Sequence, residues 1–275
     1  LIGGLLSAHA WDLMRNWLTD PISLLLIMLT FALLGAYLLV DALHLRLRED
    51  IAFRLKLSLV LTIVGTTVIA QCLYLIMMRH ATGPAAFTHD GGVIQTEEAV
   101  KMLVSGRNPY QEDYLDTPMA EWGLEQRTAL YHYPYLPWTF VASIPAKAAC
   151  DWVLGWYDQR LLYLVLFVLT LVLLPGLAGS RGDALLLTMI VGLNPIMGSD
   201  IIFGMNDSFV LAWLVLGLWL LQRRRYTWAA LSLGLAWASK PTAWFVVPFY
   251  VLFLAAGTKG LPSVVRQVWR RLWPA

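Results

Sequence analysis

The sequence predicts a polytopic bundle of transmembrane helices, and two observations support this fold class. Hydrophobic residues make up 59% of the 275 positions, charged residues only 14%, and the mean hydropathy is +0.63. A soluble domain of this size has too much surface for so few charges. In addition, residues 21–43 and 57–78 are continuous apolar stretches long enough to cross a bilayer as helices. We therefore expect an all-α membrane protein.

Later apolar stretches with interruptions complete the predicted bundle, at residues 160–178, 207–221 and 226–256. On this basis the chain divides into an N-terminal segment with two spans (1–78), a long loop (79–135), the remaining bundle (136–257) and a basic amphipathic tail (258–275). Within the third part, Pro241 stops a helix, and exposing the charged Lys240 side chain to lipid would cost free energy. These two residues predict a broken hairpin with its break at 239–241.

The distribution of charge predicts the orientation of the bundle. The short connections are basic, most clearly at residues 223–225, and basic short loops stay on the cytoplasmic side. The loop 79–135 contains eight Asp or Glu residues and four Lys or Arg residues, so we expect it on the extracytoplasmic side. The chain must then cross an odd number of times between 135 and 223. We therefore expect the proline-interrupted stretch 136–156 to be re-entrant or interfacial.

Composition also argues against several other classes of protein. Two cysteines, Cys72 and Cys150, define neither a disulfide framework nor a metal cage. The basic residues lie in short connections and in the tail, without an aromatic and basic groove, so nucleic-acid binding is not expected. A transporter would need charged groups midway along several spans, and the sequence has few.

The long loop contains the first candidate catalytic residue. Asp90 follows His89 and precedes two glycines, which leave its carboxylate unobstructed directly outside a predicted span. A carboxylate at a membrane surface can act as a general base for a hydroxyl acceptor. We therefore take Asp90 as the candidate catalytic residue and His89 as a candidate substrate ligand, with a divalent cation beside Asp90 left open.

A short amphipathic helix is predicted further along the same loop. Thr96 can cap it, Glu97 lies in its first turn, where negative charge suits the helix dipole, and Gly106 fits its exit. We expect this helix to lie on the outer membrane surface, with Tyr110 in the turn that follows. Glu97 and Tyr110 are candidate substrate ligands, and the alternative for Glu97 is an ordinary role at a helix start.

An aromatic segment, YHYPYLPW at residues 131–138, leads into the rest of the bundle. Tyr and Trp residues are typical of a belt at the membrane interface. Aromatic rings with hydroxyl groups and a histidine are equally suited to form a sugar-binding wall. The second interpretation makes His132 and Tyr133 candidate substrate ligands.

Two further candidate positions lie at helix ends in the predicted bundle. Asn206 and Asp207 open an apolar run that ends in basic residues, so they belong at its outer end as substrate ligands, helix caps or both. Lys240 lies at the outer mouth of the predicted hairpin and has no acidic neighbour in sequence, which suits a phosphate ligand. The alternative for Lys240 is snorkelling to the interface.

In their order along the chain, these motifs resemble the GT-C superfamily of membrane glycosyltransferases, especially its polyprenyl-phosphate-sugar-dependent branch. The matching segments are HDG (89–91), LVSGRNPY (103–110), YHYPYLPW (131–138), GMNDSFVLAWLVLGLWLLQRRR (204–225) and AALSLGLAWASKPTAWFVVPF (229–249). Together the resemblance covers about residues 57–257.

The resemblance implies an inverting sugar transfer from a polyprenyl phosphate to a lipid or glycan hydroxyl, on the extracytoplasmic face of a bacterial cytoplasmic membrane. It implies Asp90 as the base, Lys240 as the ligand of the lipid phosphate, and Asp207 or His132 in sugar or phosphate binding. The alternative function is a non-catalytic subunit of a larger complex, with membrane lipids and other membrane subunits as partners. Convergence of Asp90, Asp207 and Lys240 on one cavity would favour the enzyme.

Overall fold

The computed structural model describes residues 1–15, 18–43, 47–88, 92–122 and 128–259, and every regular element in these ranges is helical. The all-α prediction is confirmed for this part of the chain. Three helices are long and apolar enough to cross a membrane, namely Pro21–Leu43, Glu49–Thr82 and Gln159–Leu177. The pair Arg181–Gly192 and Pro195–Phe203 supplies a fourth if it counts as one span bent by 47°. Three to four such helices agree with the prediction of an integral membrane protein.

The α-helices in chain order are α1 (Ile2–Arg15), α2 (Pro21–Leu43), α3 (Glu49–Val64), α4 (Ala70–Thr82), α5 (Ile94–Val104), α6 (Trp138–Val141), α7 (Ser143–Leu154), α8 (Gln159–Leu173), α9 (Arg181–Gly192), α10 (Pro195–Phe203), α11 (Asp207–Gln222), α12 (Tyr226–Trp237) and α13 (Val247–Lys259). A π-helical turn, Gly65–Ile69, joins α3 to α4, so the second span is one continuous helix. Short 3-10 turns extend α8 (Leu174–Leu177) and precede α13 (Pro241–Val246).

Small residues let the helices of the bundle approach closely. A methyl group at Gly192 of α9 would lie 2.9 Å from a Val64 methyl group of α3 and 3.1 Å from a Leu171 methyl group of α8. At Gly217 of α11 it would lie 2.6 Å from the Leu233 side chain of α12. Lipid tails are as apolar as the helix side chains, so the hydrophobic effect does not drive helices together in a membrane. Close backbone packing of this kind then contributes to helix association.

The loop 79–135 is folded around a hydrophobic core of its own. Its apolar members include Ile94 of α5, Tyr133 of the aromatic segment, and Tyr114 of the stretch between them. Seven of the eleven residues of α5 are buried, so this helix packs against the rest of the protein. Its position at the outer membrane surface stays a prediction. It begins at Ile94, two residues before the predicted cap. The Thr96 hydroxyl does not cap the helix and lies 3.2 Å from the Tyr133 hydroxyl.

The proline-interrupted stretch 136–156 and the stretch around Lys240 both consist of short helical elements. Residues 136–156 contain α6 and α7, which together are interrupted at Ala142 and do not appear among the helices suited to span a membrane. The chain leaves helical geometry after Trp237 and resumes it at Pro241. Lys240 therefore stands at a break between α12 and the 3-10 turn, in extended conformation, where its side chain can reach across to α11.

Candidate active site

The site is built around the turn formed by residues 204–207, which joins α10 to α11. Gly204 ends α10 with a φ of +88°, and the amides of Gly204 and Met205 both donate to the Asp200 carbonyl, at 2.9 and 2.6 Å. A Cβ at Gly204 would lie 1.9 Å from a Val93 methyl group, so only glycine fits this close approach. The turn thereby places Asn206 just before α11 and Asp207 at its first residue.

Lys240 reaches this turn from the break after α12. Its ammonium donates to Asp207 Oδ1 at 2.6 Å and to Asn206 Oδ1 at 3.2 Å. The Lys240 side chain is 22% exposed and that of Asp207 is 44% exposed, so a ligand can approach both. An ammonium has three N–H groups, of which these two contacts use two. Three residues predicted from two separate motifs therefore form one cluster.

The aromatic segment lies against the same break. The amides of Leu136 and Trp138 donate to the carbonyls of Ser239 and Ala238, each at 3.0 Å. Prolines at 134 and 137 favour the extended backbone that makes this pairing feasible. As a result the Tyr135 ring lies beside Lys240, with its centroid 5.7 Å from the ammonium nitrogen.

The other predicted aromatic and histidine ligands occupy different positions. Tyr133 is buried, with its hydroxyl 2.8 Å from that of Thr139, and burial raises the pKa of this phenol. Tyr110 is 43% exposed, donates to the Tyr135 carbonyl at 2.8 Å, and packs edge-on against Tyr133. His132 is exposed. Tyr110 therefore lies next to the residue that contacts Lys240, whereas Tyr133 belongs to the loop core.

His89, Asp90 and Gly91 lie outside the described residues, but the chain on both sides is anchored near the turn. The Phe87 carbonyl accepts a hydrogen bond of 2.8 Å from Arg160, and the Gly92 carbonyl accepts one of 2.9 Å from the Tyr163 hydroxyl. A Cβ at Gly92 would lie only 2.3 Å from the Gly204 carbonyl oxygen. Gly92, the first described residue after the Asp90 segment, therefore contacts the 204–207 turn.

Glu97 belongs to a buried charge network with Arg79, Asp158 and Arg160. Arg79 binds Glu97 through two hydrogen bonds of 2.9 and 2.8 Å and also donates to Asp158 at 2.8 Å. Arg160, which is fully buried, donates to both oxygens of Asp158, at 2.9 and 2.8 Å. Burial alone would raise the pKa of Asp158, but the charges and hydrogen bonds of the two arginines outweigh it and lower this pKa to about 2.

The charge network holds the surroundings of the turn in place. Besides binding Phe87, Arg160 donates to the Ile202 carbonyl near the end of α10, at 3.1 Å. Glu97 accepts from the Gln159 amide at 2.8 Å, which ties α5 to the start of α8. The sequence did not predict this buried charge network, because Arg79 and Arg160 were interpreted only as the residues at which a loop and an apolar stretch begin. The available signal was Asp158 and Arg160, separated only by Gln159, at the start of an apolar run.

We expect Asp158→Asn to destabilise the protein by about 3–5 kcal/mol, since it leaves two buried guanidinium groups short of one negative charge. The measurement is the midpoint of thermal unfolding in detergent. Asp151→Asn is the matched control: its ion pair with Lys147 is exposed, so its loss should cost less than about 1 kcal/mol. Equal midpoints for wild type and Asp158→Asn would contradict a stabilising network.

The sign of the pH dependence follows from the lowered pKa. The stabilisation by Asp158 is complete above the ordinary carboxyl range, about pH 4, and is lost as the pH falls toward 2. Below that pH, wild type and Asp158→Asn should converge in stability.

Within the described part of the chain, no group of three or more His, Cys, Asp or Glu side chains could hold a metal ion. The divalent cation considered beside Asp90 concerns a residue outside that part, so it stays a prediction.

Comparison with known families gives the decisive observation. Residues 97–256, more than half of the chain, match the family described as alpha-(1->6)-mannopyranosyltransferase, N-terminal domain. The chain belongs to this family. No curated protein and no solved structure is significantly similar to it.

Membership of the alpha-(1->6)-mannopyranosyltransferase family supports a glycosyltransferase activity and the mannosyltransferase-like part of the resemblance. The matched range includes most of the predicted site residues, namely Glu97, Tyr110, His132, Tyr133, Asn206, Asp207 and Lys240. His89 and Asp90 precede it. The cluster at the 204–207 turn is therefore part of the family domain.

Proposed function

We propose that the chain transfers a mannosyl group from a polyprenyl-phosphate donor to a lipid or glycan hydroxyl on the extracytoplasmic face of the membrane. The observation that carries this proposal is the cluster of Lys240, Asn206 and Asp207 at a turn that also contacts Gly92, two residues after Asp90. It combines one cation with neighbouring carboxylate and amide groups in a partly exposed position. Membership of the family supports glycosyl transfer as the class of reaction, and its description is the basis for proposing mannose as the sugar.

Each group has a role in a balanced displacement. Asp90 removes the proton of the acceptor hydroxyl, and the resulting oxygen attacks the anomeric carbon of the donor sugar. The bond from that carbon to the phosphate oxygen breaks, and the polyprenyl phosphate leaves with the electron pair. Lys240 stabilises the charge that develops on the leaving phosphate, through the N–H that Asp207 and Asn206 do not occupy. The products are a new glycoside and polyprenyl phosphate.

Asn206 and Asp207 both orient Lys240 and offer further contacts. The Asn206 side chain is buried, and its amide nitrogen has no hydrogen-bond partner among the described residues. A buried amide without a partner is costly unless a ligand or water supplies one. We assign this N–H to a phosphate or sugar oxygen of the donor, and the exposed part of the Asp207 carboxylate to sugar hydroxyls.

The remaining predicted residues divide into contact and positioning roles. Tyr110 and Tyr135 supply an aromatic surface beside Lys240 on which a sugar ring can pack. His132 is exposed near the same segment and is assigned to the polar edge of the donor. Glu97 and Tyr133 are buried among protein groups, so we assign them to holding α5 and the aromatic segment in place.

The test is transfer in membranes that contain the chain, with matched membranes that lack it as the control. Radiolabelled mannose is supplied either on a polyprenyl phosphate or on a nucleotide, in the presence of detergent to give the donor access. We expect label in the lipid or glycan fraction from the lipid-linked donor only. Transfer from the nucleotide-linked donor alone would overturn the donor assignment. Transfer from neither would favour the non-catalytic subunit.

A further inference from the structure

A cavity lies beside the 204–207 turn, between α1 and α10. It has a volume of about 440 Å³, within the range of roughly 300–1,000 Å³ that is usual for small-molecule sites. The residues that give it chemical character are Trp11, Asp12, Ser199, Asp200, Phe203 and Met205. We call it the acidic cavity. Met205 lines it directly, so the cavity is separated from the Lys240 cluster only by the turn itself.

The acidic cavity has a fixed shape because α1 packs tightly on α10. The buried His9 ring of α1 occupies the space where a side chain at Gly198 of α10 would be, since a Cβ there would lie 2.3 Å from a ring carbon. The next residue of α10, Ser199, donates a hydrogen bond to the carboxylate of Asp12, which lies about one turn after His9 on α1. Two contacts on neighbouring turns therefore hold α1 against α10, and the cavity is preformed.

Asp200 is the group in the acidic cavity that most needs a ligand. Its residue is only 7% exposed, yet its carboxylate accepts no hydrogen bond from any side chain or amide in the described ranges. It also lies within electrostatic range of Asp12, Asp207 and Lys240. Asp200 lines the cavity, so hydroxyl groups of a ligand there can donate hydrogen bonds to its carboxylate.

The charge of the acidic cavity selects what can enter it. Two carboxylates repel a phosphate, so the anionic part of a lipid-linked donor belongs at Lys240 and not here. A neutral polyhydroxylated ligand instead donates hydrogen bonds to Asp12 and Asp200. At the mouth, the Trp11 ring is 70% exposed and offers an apolar face to the C–H side of a sugar.

We infer that the acidic cavity binds a neutral sugar of the acceptor glycan, with Asp200 and Asp12 accepting from its hydroxyls and Trp11 packing on its ring. This inference rests on the proposed function for the identity of the ligand as an acceptor. The arrangement places donor phosphate and acceptor sugar beside one turn, so that the reacting hydroxyl is held next to Asn206 and Asp207.

The test measures sugar binding without any donor, by saturation-transfer NMR and calorimetry on the full chain in lipid nanodiscs. The probe is α-1,6-linked mannobiose. We expect Trp11→Ala and Asp200→Asn each to weaken binding by about tenfold or more. The controls are Trp152→Ala, which removes a ring that is 87% exposed on α7, and Asp116→Asn, which removes an exposed loop carboxylate. Both controls should bind as the wild type does.

Several outcomes would overturn the inference. Unchanged affinity in Trp11→Ala and Asp200→Asn would do so, as would tighter binding of a phosphorylated mannoside that Asp200→Asn leaves unaffected. Because the assay contains no donor, it gives a result whether or not the chain catalyses transfer. If Asp200→Asn fails to assemble, Trp11→Phe carries the test, since an aromatic ring there should restore most of the affinity lost in Trp11→Ala. Failure of Trp11→Phe to do so would count against a packing role.

Discussion

Replacing Lys240 with methionine is expected to lower the rate of sugar transfer by about 10²- to 10³-fold, the usual effect of removing a group that stabilises charge in the transition state. The Lys240 side chain is only 22% exposed, and Asp207 and Asn206 hold its ammonium, so the charge acts in a partly water-excluded position. Methionine keeps a similar length and removes the charge. The measurement is initial velocity against donor concentration, with Lys101→Met, a change at an exposed surface lysine, as the control.

A second variant separates the catalytic role of Lys240 from a structural one. If Lys240 served only to neutralise Asp207, then Lys240→Met combined with Asp207→Asn would leave no unpaired charge and would transfer as fast as Asp207→Asn alone. If Lys240 binds the donor phosphate, the double variant stays far below Asp207→Asn alone. Lys240→Arg should keep part of the activity, because it retains the charge with a different geometry. Full activity in Lys240→Met would contradict the assignment of Lys240 to the phosphate.

The bundle and its main breaks follow from local properties of the chain. Continuous apolar runs predicted the helices that are long and apolar enough to cross a membrane, at Pro21–Leu43, Glu49–Thr82 and Gln159–Leu177. Helix propensity and periodicity could not predict that α5 starts at Ile94 and buries Glu97. That outcome depends on Arg79, which lies 18 residues earlier in sequence and supplies the compensating charge.

The cluster at the turn was more predictable than the structures that support it. Lys240 and the pair Asn206 and Asp207 stood out because polar residues at the ends of apolar helices are costly and few. Nothing in their spacing showed that they contact one another, since Lys240 reaches Asp207 only through the break before Pro241. The acidic cavity was less visible still. Its lining combines Trp11 and Asp12 with Asp200 only because α1 packs on α10. No local sequence pattern predicts that α1 and α10 are in contact.

The Asp90→Asn substitution gives the sharpest distinction between an enzyme and a non-catalytic subunit. Asparagine is nearly the same size as aspartate but cannot accept a proton, so we expect transfer to fall by about 10²- to 10⁴-fold with little change in donor binding. The assay is the same membrane transfer, with wild type and variant present in equal amounts. Asp113→Asn, a change at an exposed carboxylate of the same loop, is the control.

The pH–rate profile tells a base from a group that merely positions the loop. A wild-type enzyme with a carboxylate base loses activity at low pH as the base becomes protonated, whereas the residual activity of Asp90→Asn should lack that acidic limb. Loss of activity with the limb retained would make Asp90 a positioning residue. Equal turnover in wild type and variant would remove Asp90 as the base and leave Asp207, which is 44% exposed beside Lys240, as the next carboxylate to test. Gly92, two residues after Asp90, contacts the turn that carries Asp207. Both candidate bases, Asp90 and Asp207, therefore belong to the same part of the proposed site.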